Sequence, residues 1–235
     1  MIEVESKHKA GAIILKRGEL PRYHQIYDSL DRLQVPKGTR IFKGSGLEFV
    51  RNVNVCIAEC MSEPQYSDVV WFWIMDDDHT FDSDILLKLL DHDVDCIVPL
   101  VSMRVWPFDP VLVHGPLGQG RHYEFKDLDI NNGTKLILQH RDTIGAAGML
   151  LKRCVFDKLS HPYFEVGKLY SDVISEDVVF ADRLWKHGFA IHASLNTVMG
   201  HLTVMNLIPY QKPNGTFGVK LRVLTGQIPW EFGIN

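Results

Sequence analysis

No run of apolar residues in this sequence is longer than seven, Val69 to Met75, where a membrane-crossing helix needs about 20. The opening residues, MIEVESKHKAG, hold no apolar stretch of the kind a secretory leader requires. Cysteine is scarce. Cys56, Cys60, Cys96 and Cys154 form no pair of doublets of the zinc-binding type. Cys56 and Cys60 stand one helical turn apart on an apolar stripe, which reads as buried free thiols in a reducing cytosol. Neither charge sign is in excess: 25 basic against 29 acidic side chains leave a net charge of −4. That balance gives no footprint for non-specific nucleic-acid binding. Repeats, low-complexity tracts and Gly/Pro/Ser-rich linkers are also lacking.

What is present is the composition of a packed protein. With 235 residues, 46% apolar and 10% aromatic, the chain is too hydrophobic to be disordered. It is long enough to bury roughly 70–75% of its extended surface as one domain. The expectation is a soluble, cytoplasmic, single-domain protein, in the host cytoplasm if it is viral.

Strand and helix signals alternate. Ala10 to Leu15 reads as a short buried strand ended by Arg17-Gly18, and Pro21 suits the first turn of a helix carrying Tyr23, Ile26, Tyr27, Leu30 and Leu33. Thr39 to Phe42 is a second strand closed by Gly44-Ser45-Gly46. A helix marked by Val50, Val53, Ile57 and Cys60 follows. Asp68 to Met75 is continuously apolar after its first residue, as in a central strand covered on both faces. Asp82 or Ser83 can cap a third helix through Ile85, Leu86, Leu89 and Leu90, before a strand from Asp95 to Val101.

The order βαβαβαβ predicts a mostly parallel sheet between helical layers, with ligands bound beyond the carboxyl ends of the strands. The loops at Arg17-Gly18, Gly44-Ser45-Gly46 and Asp76 to His79 should therefore converge on one crevice. Later segments are less regular. Turns are expected near Gly115 to Gly120 and at Asn132-Gly133, a short helix over Cys154 to Leu159, and a longer helix from Glu176 to His187 stopped by Gly188. A late strand over Ile191 to Val198 and a loop-rich tail from Pro209 complete the chain.

The chemistry concentrates at Asp76-Asp77-Asp78, directly after the most apolar strand. Three adjacent carboxylates repel one another, and the mouth of a buried sheet adds desolvation cost. A divalent cation removes both penalties, and Mg²⁺ or Mn²⁺ held by carboxylates and substrate phosphates is the natural candidate. A solvated turn capping the next helix is the structural alternative. Ser175-Glu176-Asp177 forms a second acid group at a helix start, where the helix dipole favours ionised carboxylates.

VVWFWIMDDDHTF resembles the Asp-x-Asp motif of glycosyltransferases of the GT-A fold. IGAAGMLLKRCVFDKLSHPYF, SEDVVFADRLWKHGFAIH and VMGHL are similar, in the same order, to the second half of family-2-like members, so the resemblance spans about residues 10 to 205. It implies a Rossmann-like, three-layer α/β sandwich with a mostly parallel central sheet. Residues 1–101 would form a nucleotide-sugar-binding half and 102–235 an acceptor-binding half with a tail.

It also implies a metal-dependent transfer of a sugar from a nucleoside-diphosphate sugar, UDP by default, to a hydroxyl acceptor. Asp78 would bind Mn²⁺ or Mg²⁺, Asp76 or Asp77 the metal or the donor ribose, and His201 would complete the metal site. Arg17 and Arg51 fall where relatives approach the nucleotide and its diphosphate. Asp177, or Glu176 beside it, would be the base that activates the acceptor, and Arg104 and Trp106 would line the acceptor side. The acceptor class is open between a glycan and a modified nucleic-acid base.

One departure concerns the loop Phe42-Lys43-Gly44-Ser45-Gly46, which lacks the acid with which many relatives read the base. Two other functions fit parts of the pattern. Asp76-x-Asp78-x-Thr80 after an apolar strand matches a haloacid-dehalogenase-like phosphatase, with Asp76 as nucleophile. A catalytically silent nucleotide-sugar-binding module would keep the crevice without turnover.

Overall fold

The computed structural model describes the whole chain except residues 18–22, 47, 105–106, 116–119, 129–133, 146, 170–171, 212–216, 224–230 and 235. Pro21, Trp106, Asn132 and Gly133 therefore lie outside the described residues.

Five strands carry the early part of the chain: β1 (Ile2–Val4), β2 (Ala12–Leu15), β3 (Gln34–Pro36), β4 (Arg40–Lys43) and β5 (Trp71–Met75). Helices α1 (Gln25–Arg32) and α2 (Phe49–Ser62) connect them. Strand β6 (His79–Phe81), helix α3 (Ile85–Asp91) and strand β7 (Cys96–Val101) follow. Strands β8 (Leu112–His114), β9 (Arg121–His122), β10 (Lys135–Ile137), β11 (Thr143–Ile144) and β12 (Met149–Lys152) precede helix α4 (Arg153–Lys158). The last third has β13 (Gly167–Leu169), β14 (Asp172–Ile174), α5 (Glu176–Lys186), β15 (His192–His201), β16 (Met205–Gln211), β17 (Phe217–Val223) and β18 (Glu231–Ile234).

The main sheet runs β10-β15-β7-β12-β5-β2-β4, with β6 added to β15. It is mixed rather than mostly parallel. β2 pairs parallel with β4 and β5, and β15 with β7, but β12 pairs antiparallel with both β5 and β7. Met149, Leu150 and Leu151 are buried between those neighbours. A strand apolar on both faces reads alike in either direction, so the pattern of residues carries no orientation.

Alternation along the strands divides the core in two, as a period of two requires. Ala12, Ile14, Phe72, Ile74, Cys96 and Val98 face one core. There they meet Val53, Ile57 and Cys60 of α2, Phe156 of α4, and Phe180 and Leu184 of α5. Ile13, Leu15, Trp71, Trp73, Met75 and Ile97 face the other, against Ile26 and Leu30 of α1 and Leu86 and Leu89 of α3. The result is a helix–sheet–helix sandwich.

Several local expectations change. β1 pairs parallel with β3 as a separate two-stranded sheet that the hydropathy pattern did not mark. Helix α3 starts after Asp84 and has no side-chain cap, so neither Asp82 nor Ser83 serves as one. The tail is not loop throughout, since β16, β17 and β18 form a three-stranded antiparallel sheet. Gly188, with φ of +79°, ends α5 as expected. Cys56, Cys60 and Cys96 are buried free thiols, whereas Cys154 is exposed.

Candidate functional site

The parallel strands β2, β4 and β5 deliver their carboxyl ends to one place. Gly44 donates its N–H to Leu15 O (2.8 Å) and Lys16 to Met75 O (3.0 Å). Asn52 of α2 donates from Nδ2 to Lys16 O at 2.9 Å and to Gly46 O at 3.3 Å, tying the first two loops together. A side chain at Gly44 would come within 2.6 Å of both Asn52 Cβ and Lys16 O, so the approach requires glycine.

The three aspartates are not equivalent. Asp76 is the most open, and its Oδ1 lies 3.0 Å from Lys16 Nζ. Asp77 is buried, with Oδ2 3.9 Å from Arg17 Nη1. The Arg17 guanidinium also lies 4.2 Å above the Phe49 ring. Asp78 is 2% exposed and sits at the centre of a cluster. Its Oδ2 accepts from Arg104 Nη1 at 3.0 Å and stands 3.4 Å from His201 Nε2, and its Oδ1 is 3.2 Å from His79 Nδ1.

Pairing of β6 with β15 places His79 opposite His201, so the distant imidazole reaches the aspartates through sheet register. Gly200 makes that close approach possible, because a Cβ there would lie 2.5 Å from Thr80 Oγ1. His201 Nδ1 is 2.8 Å from Ser102 O, an acceptor that fixes the N–H on Nδ1 and leaves the Nε2 lone pair facing Asp78.

Asp78, His79 and His201 offer ligand atoms that all lie within 4.8 Å of one another. The chemistry of the donor set fits a divalent ion. His79 is 2% exposed, and neither ring nitrogen has a hydrogen-bond partner among the described residues; the nearby Asp78 oxygen lies off the line such a bond requires. A buried polar atom left in that state costs about 1–3 kcal/mol, and a cation supplies the missing partner. Burial, opposed by the charges of Asp78 and Asp76, pushes the His79 pKa down to about 4, so the ring is neutral and its lone pair is available. Donor atoms within 4.8 Å of one another are close to the spacing of ligands that share one ion at about 2.1 Å. Two imidazoles and one carboxylate favour Mn²⁺, Fe²⁺ or Zn²⁺ over Mg²⁺ and Ca²⁺.

The cluster contains Asp78 and His201 of the expected set of Asp76, Asp78 and His201, together with His79. The Asp76 carboxylate lies against Lys16. Lys16 is a residue the sequence pattern did not single out. It is 3% exposed, and its ammonium lies 3.0 Å from Asp76 and 3.6 Å from Glu176 Oε1. Burial alone would lower its pKa, but Asp76, Glu176 and Asp177 outweigh that and raise it, so Lys16 is a fixed cation joining the two acid groups.

Of the second acid group, Glu176 therefore faces the aspartate loop. Asp177 accepts from Ser175 Oγ and, at 2.8 Å, from Val178 N. Ser175 occupies the cap position but spends its hydroxyl on Asp177 rather than on the helix backbone. A side chain at Gly145 would come within 3.6 Å of Asp177 Oδ2, which places that acid beside the β11–β12 turn.

Arg104 lies against Asp78, and Trp106 lies outside the described residues. Arg51 is exposed on α2 and lines a separate hollow of about 430 Å³ with Lys43, Gly44, Ser45, Gly46 and Glu48. Glu48 is an acid in the neighbourhood where the loop after the second strand has none.

No helix among the described residues is long and apolar enough to cross a membrane. No family model matches the chain, and no curated protein matches it. Among solved structures it is similar to A197 from STIV, with a TM-score of 0.51 and 14% identity over 89% of this chain and 93% of that one. It also aligns with the inositol-1-phosphate CTP transferase from T. maritima, with a TM-score of 0.42 and 12% identity over 85% and 91% of the two chains. At these identities the first likeness is one of fold alone, and the second is too distant to carry an argument. What the comparisons add to the geometry is an α/β fold shared with A197 from STIV.

Proposed function

We propose that this protein is a metal-dependent glycosyltransferase of the GT-A type, moving a sugar from a nucleoside-diphosphate sugar to a hydroxyl acceptor. The observation that carries the reading is the meeting of Asp78, after the central strand, with His201, at the end of the late strand, at 3.4 Å. The order of motifs along the chain points to the same pairing.

The residues divide the work. Asp78, His201 and His79 would hold the ion, which when bound supplies positive charge to the departing diphosphate. Lys16 and Arg17 add fixed cations beside Asp76 and Asp77. Arg104 pairs with Asp78 at the edge of the cluster and would add a cation within reach of a donor phosphate. Glu176 and Asp177 open α5, and a carboxylate there would take a proton from an acceptor hydroxyl. Asp177, beside the β11–β12 turn, is taken as the base, while Glu176 pairs with Lys16. The nucleotide would lie over the β4–α2 hollow, with Lys43, Arg51 and Glu48 in reach of the base and ribose.

Incubating the protein with a panel of nucleoside-diphosphate sugars and Mn²⁺, and measuring release of the nucleoside diphosphate, tests the reading. Metal-dependent release with at least one donor, lost in Asp78→Asn, is the expected result. Release unaffected by that substitution, or a phosphoenzyme trapped on Asp76, would overturn it.

A further inference from the structure

A second polar hollow lies on the other half of the molecule. It measures about 610 Å³ and is lined by His114, Gly115, Arg121, Gln139, His140 and Asp142. Asp142, at its floor, is only 2% exposed. A carboxylate so far from water needs donors, and the fold provides three: Tyr123 OH to Oδ2 at 2.5 Å, Gln139 N to Oδ2 at 2.9 Å and Gly115 N to Oδ1 at 2.9 Å. Its charge is thereby answered from within the fold.

The imidazole of His114 is held against this floor. Its Nδ1 is 3.6 Å from Asp142 Oδ2, and its ring stacks on Tyr123 with centroids 3.4 Å apart. An imidazolium in this position points one N–H toward the carboxylate and keeps the second N–H for an anion entering the hollow. Arg121, which pairs with His114 across β8 and β9, is exposed and engaged by no ion pair among the described residues. His140 is exposed on the opposite rim, against the edge of Trp185.

Trp185 Nε1 donates to Asp142 O at 2.7 Å, so α5 is anchored to this floor at its last turn while carrying Glu176 and Asp177 in its first. From Asp142 the chain runs through Thr143 and Ile144 of β11 to Gly145, beside Asp177. Three residues at about 3.3 Å each set the hollow about 10 Å from that acid.

We propose that this hollow, built from Arg121, His114 and His140 around the satisfied carboxylate of Asp142, is an oxyanion site that seats a phosphoryl group of the acceptor substrate. A guanidinium and two imidazole edges spread around an open cavity match a tetrahedral phosphate better than a planar carboxylate. The separation of about 10 Å leaves room for one sugar or nucleoside between phosphate and reacting hydroxyl. The link to an acceptor rests on the transferase reading; the oxyanion site itself does not.

The test uses inorganic phosphate, with acetate and chloride as controls, and follows the histidine ring resonances of the full chain by NMR. The expected result is saturable shifts of the His114 and His140 signals with phosphate at low-millimolar concentration. Binding should weaken at least tenfold in Arg121→Ala and in His114→Gln, and stay unchanged in Asp78→Asn. Absence of saturation, equal shifts with acetate or chloride, or unaltered binding in Arg121→Ala would overturn the proposal. Because Arg121 is exposed, its loss leaves the core intact. Phosphate binding without donor turnover would keep this site and reject only its connection to transfer.

Discussion

His79 and His201 face each other across the antiparallel register of β6 and β15, their rings stacked 4.6 Å apart at an interplanar angle of 20°. Neither residue could be held there without the other strand, so the cluster exists only once the sheet has formed. The ring pair frames the buried carboxylate of Asp78. Metal affinity is accordingly expected to be a property of the folded chain. Thermal unfolding should shift upward with Mn²⁺, Co²⁺ or Zn²⁺ and not with Mg²⁺ or Ca²⁺. An ion present at 1,000 times its Kd adds about 4 kcal/mol. His79→Ala and His201→Ala should each weaken that response at least tenfold.

Lys16 is the electrostatic joint between the aspartate loop and α5. Removing one partner of a buried ion pair costs about 3–5 kcal/mol, so Lys16→Met should lower stability on that scale in urea unfolding. Its pKa is raised in the folded protein. A raised pKa contributes stability that is fully present below the unfolded value, near 10.5, and is lost as pH rises through the folded one. The difference between wild type and Lys16→Met should therefore be flat across neutral pH and shrink only above about pH 10.5.

Asn54 organises a different joint. Only 6% exposed, its Oδ1 accepts from Tyr163 N (2.8 Å) and Phe164 N (2.9 Å), and its Nδ2 donates to Phe164 O (2.7 Å) and Val50 O (2.9 Å). Substitution by Leu, similar in volume, orphans the Tyr163 and Phe164 backbone groups at about 1–3 kcal/mol each, whereas Val50 O keeps its bond within α2. Asn54→Leu should cost at least about 3 kcal/mol in chemical denaturation, without changing Mn²⁺ affinity in the protein that remains folded.

The roles given to the second acid pair separate cleanly in kinetics. Asp177→Asn should lower kcat by about 10²–10⁴, the usual contribution of a general base, while leaving donor affinity within a factor of about two. Glu176→Gln should leave kcat near the wild-type value and tighten donor binding, because it removes a negative charge beside Lys16 and leaves more of that cation's field to the diphosphate. Single-turnover rates and equilibrium binding of the two variants check the division.

Much of the central sheet is legible in the sequence. The unbroken apolar stretch ending at Met75 announced a central strand, and the aspartates after it announced a charged mouth. The strand leading to His201 was visible too, although its reach to Asp78 follows only from register. The parts that were not visible share a physical cause. Lys16 ends an apolar strand, and nothing in its neighbourhood along the chain shows that Asp76 and Glu176 will surround it. His79 reads as loop until β6 is known to pair with β15. The reversed direction of β12 left no mark in the sequence, because both its faces are buried. Asn52 and Asn54 sit on the inward face of α2, where only contacts with distant backbone make a polar side chain tolerable.

The central claim is that Asp78 and His201 hold one ion that joins the protein to a diphosphate. Calorimetric titration of a nucleoside-diphosphate sugar, with and without Mn²⁺, into wild-type protein and His201→Ala tests it most directly. Donor affinity that rises at least tenfold with Mn²⁺ in wild type and loses that gain in His201→Ala is the predicted result. Equal donor affinity with and without the metal, or an undiminished gain in His201→Ala, would contradict it.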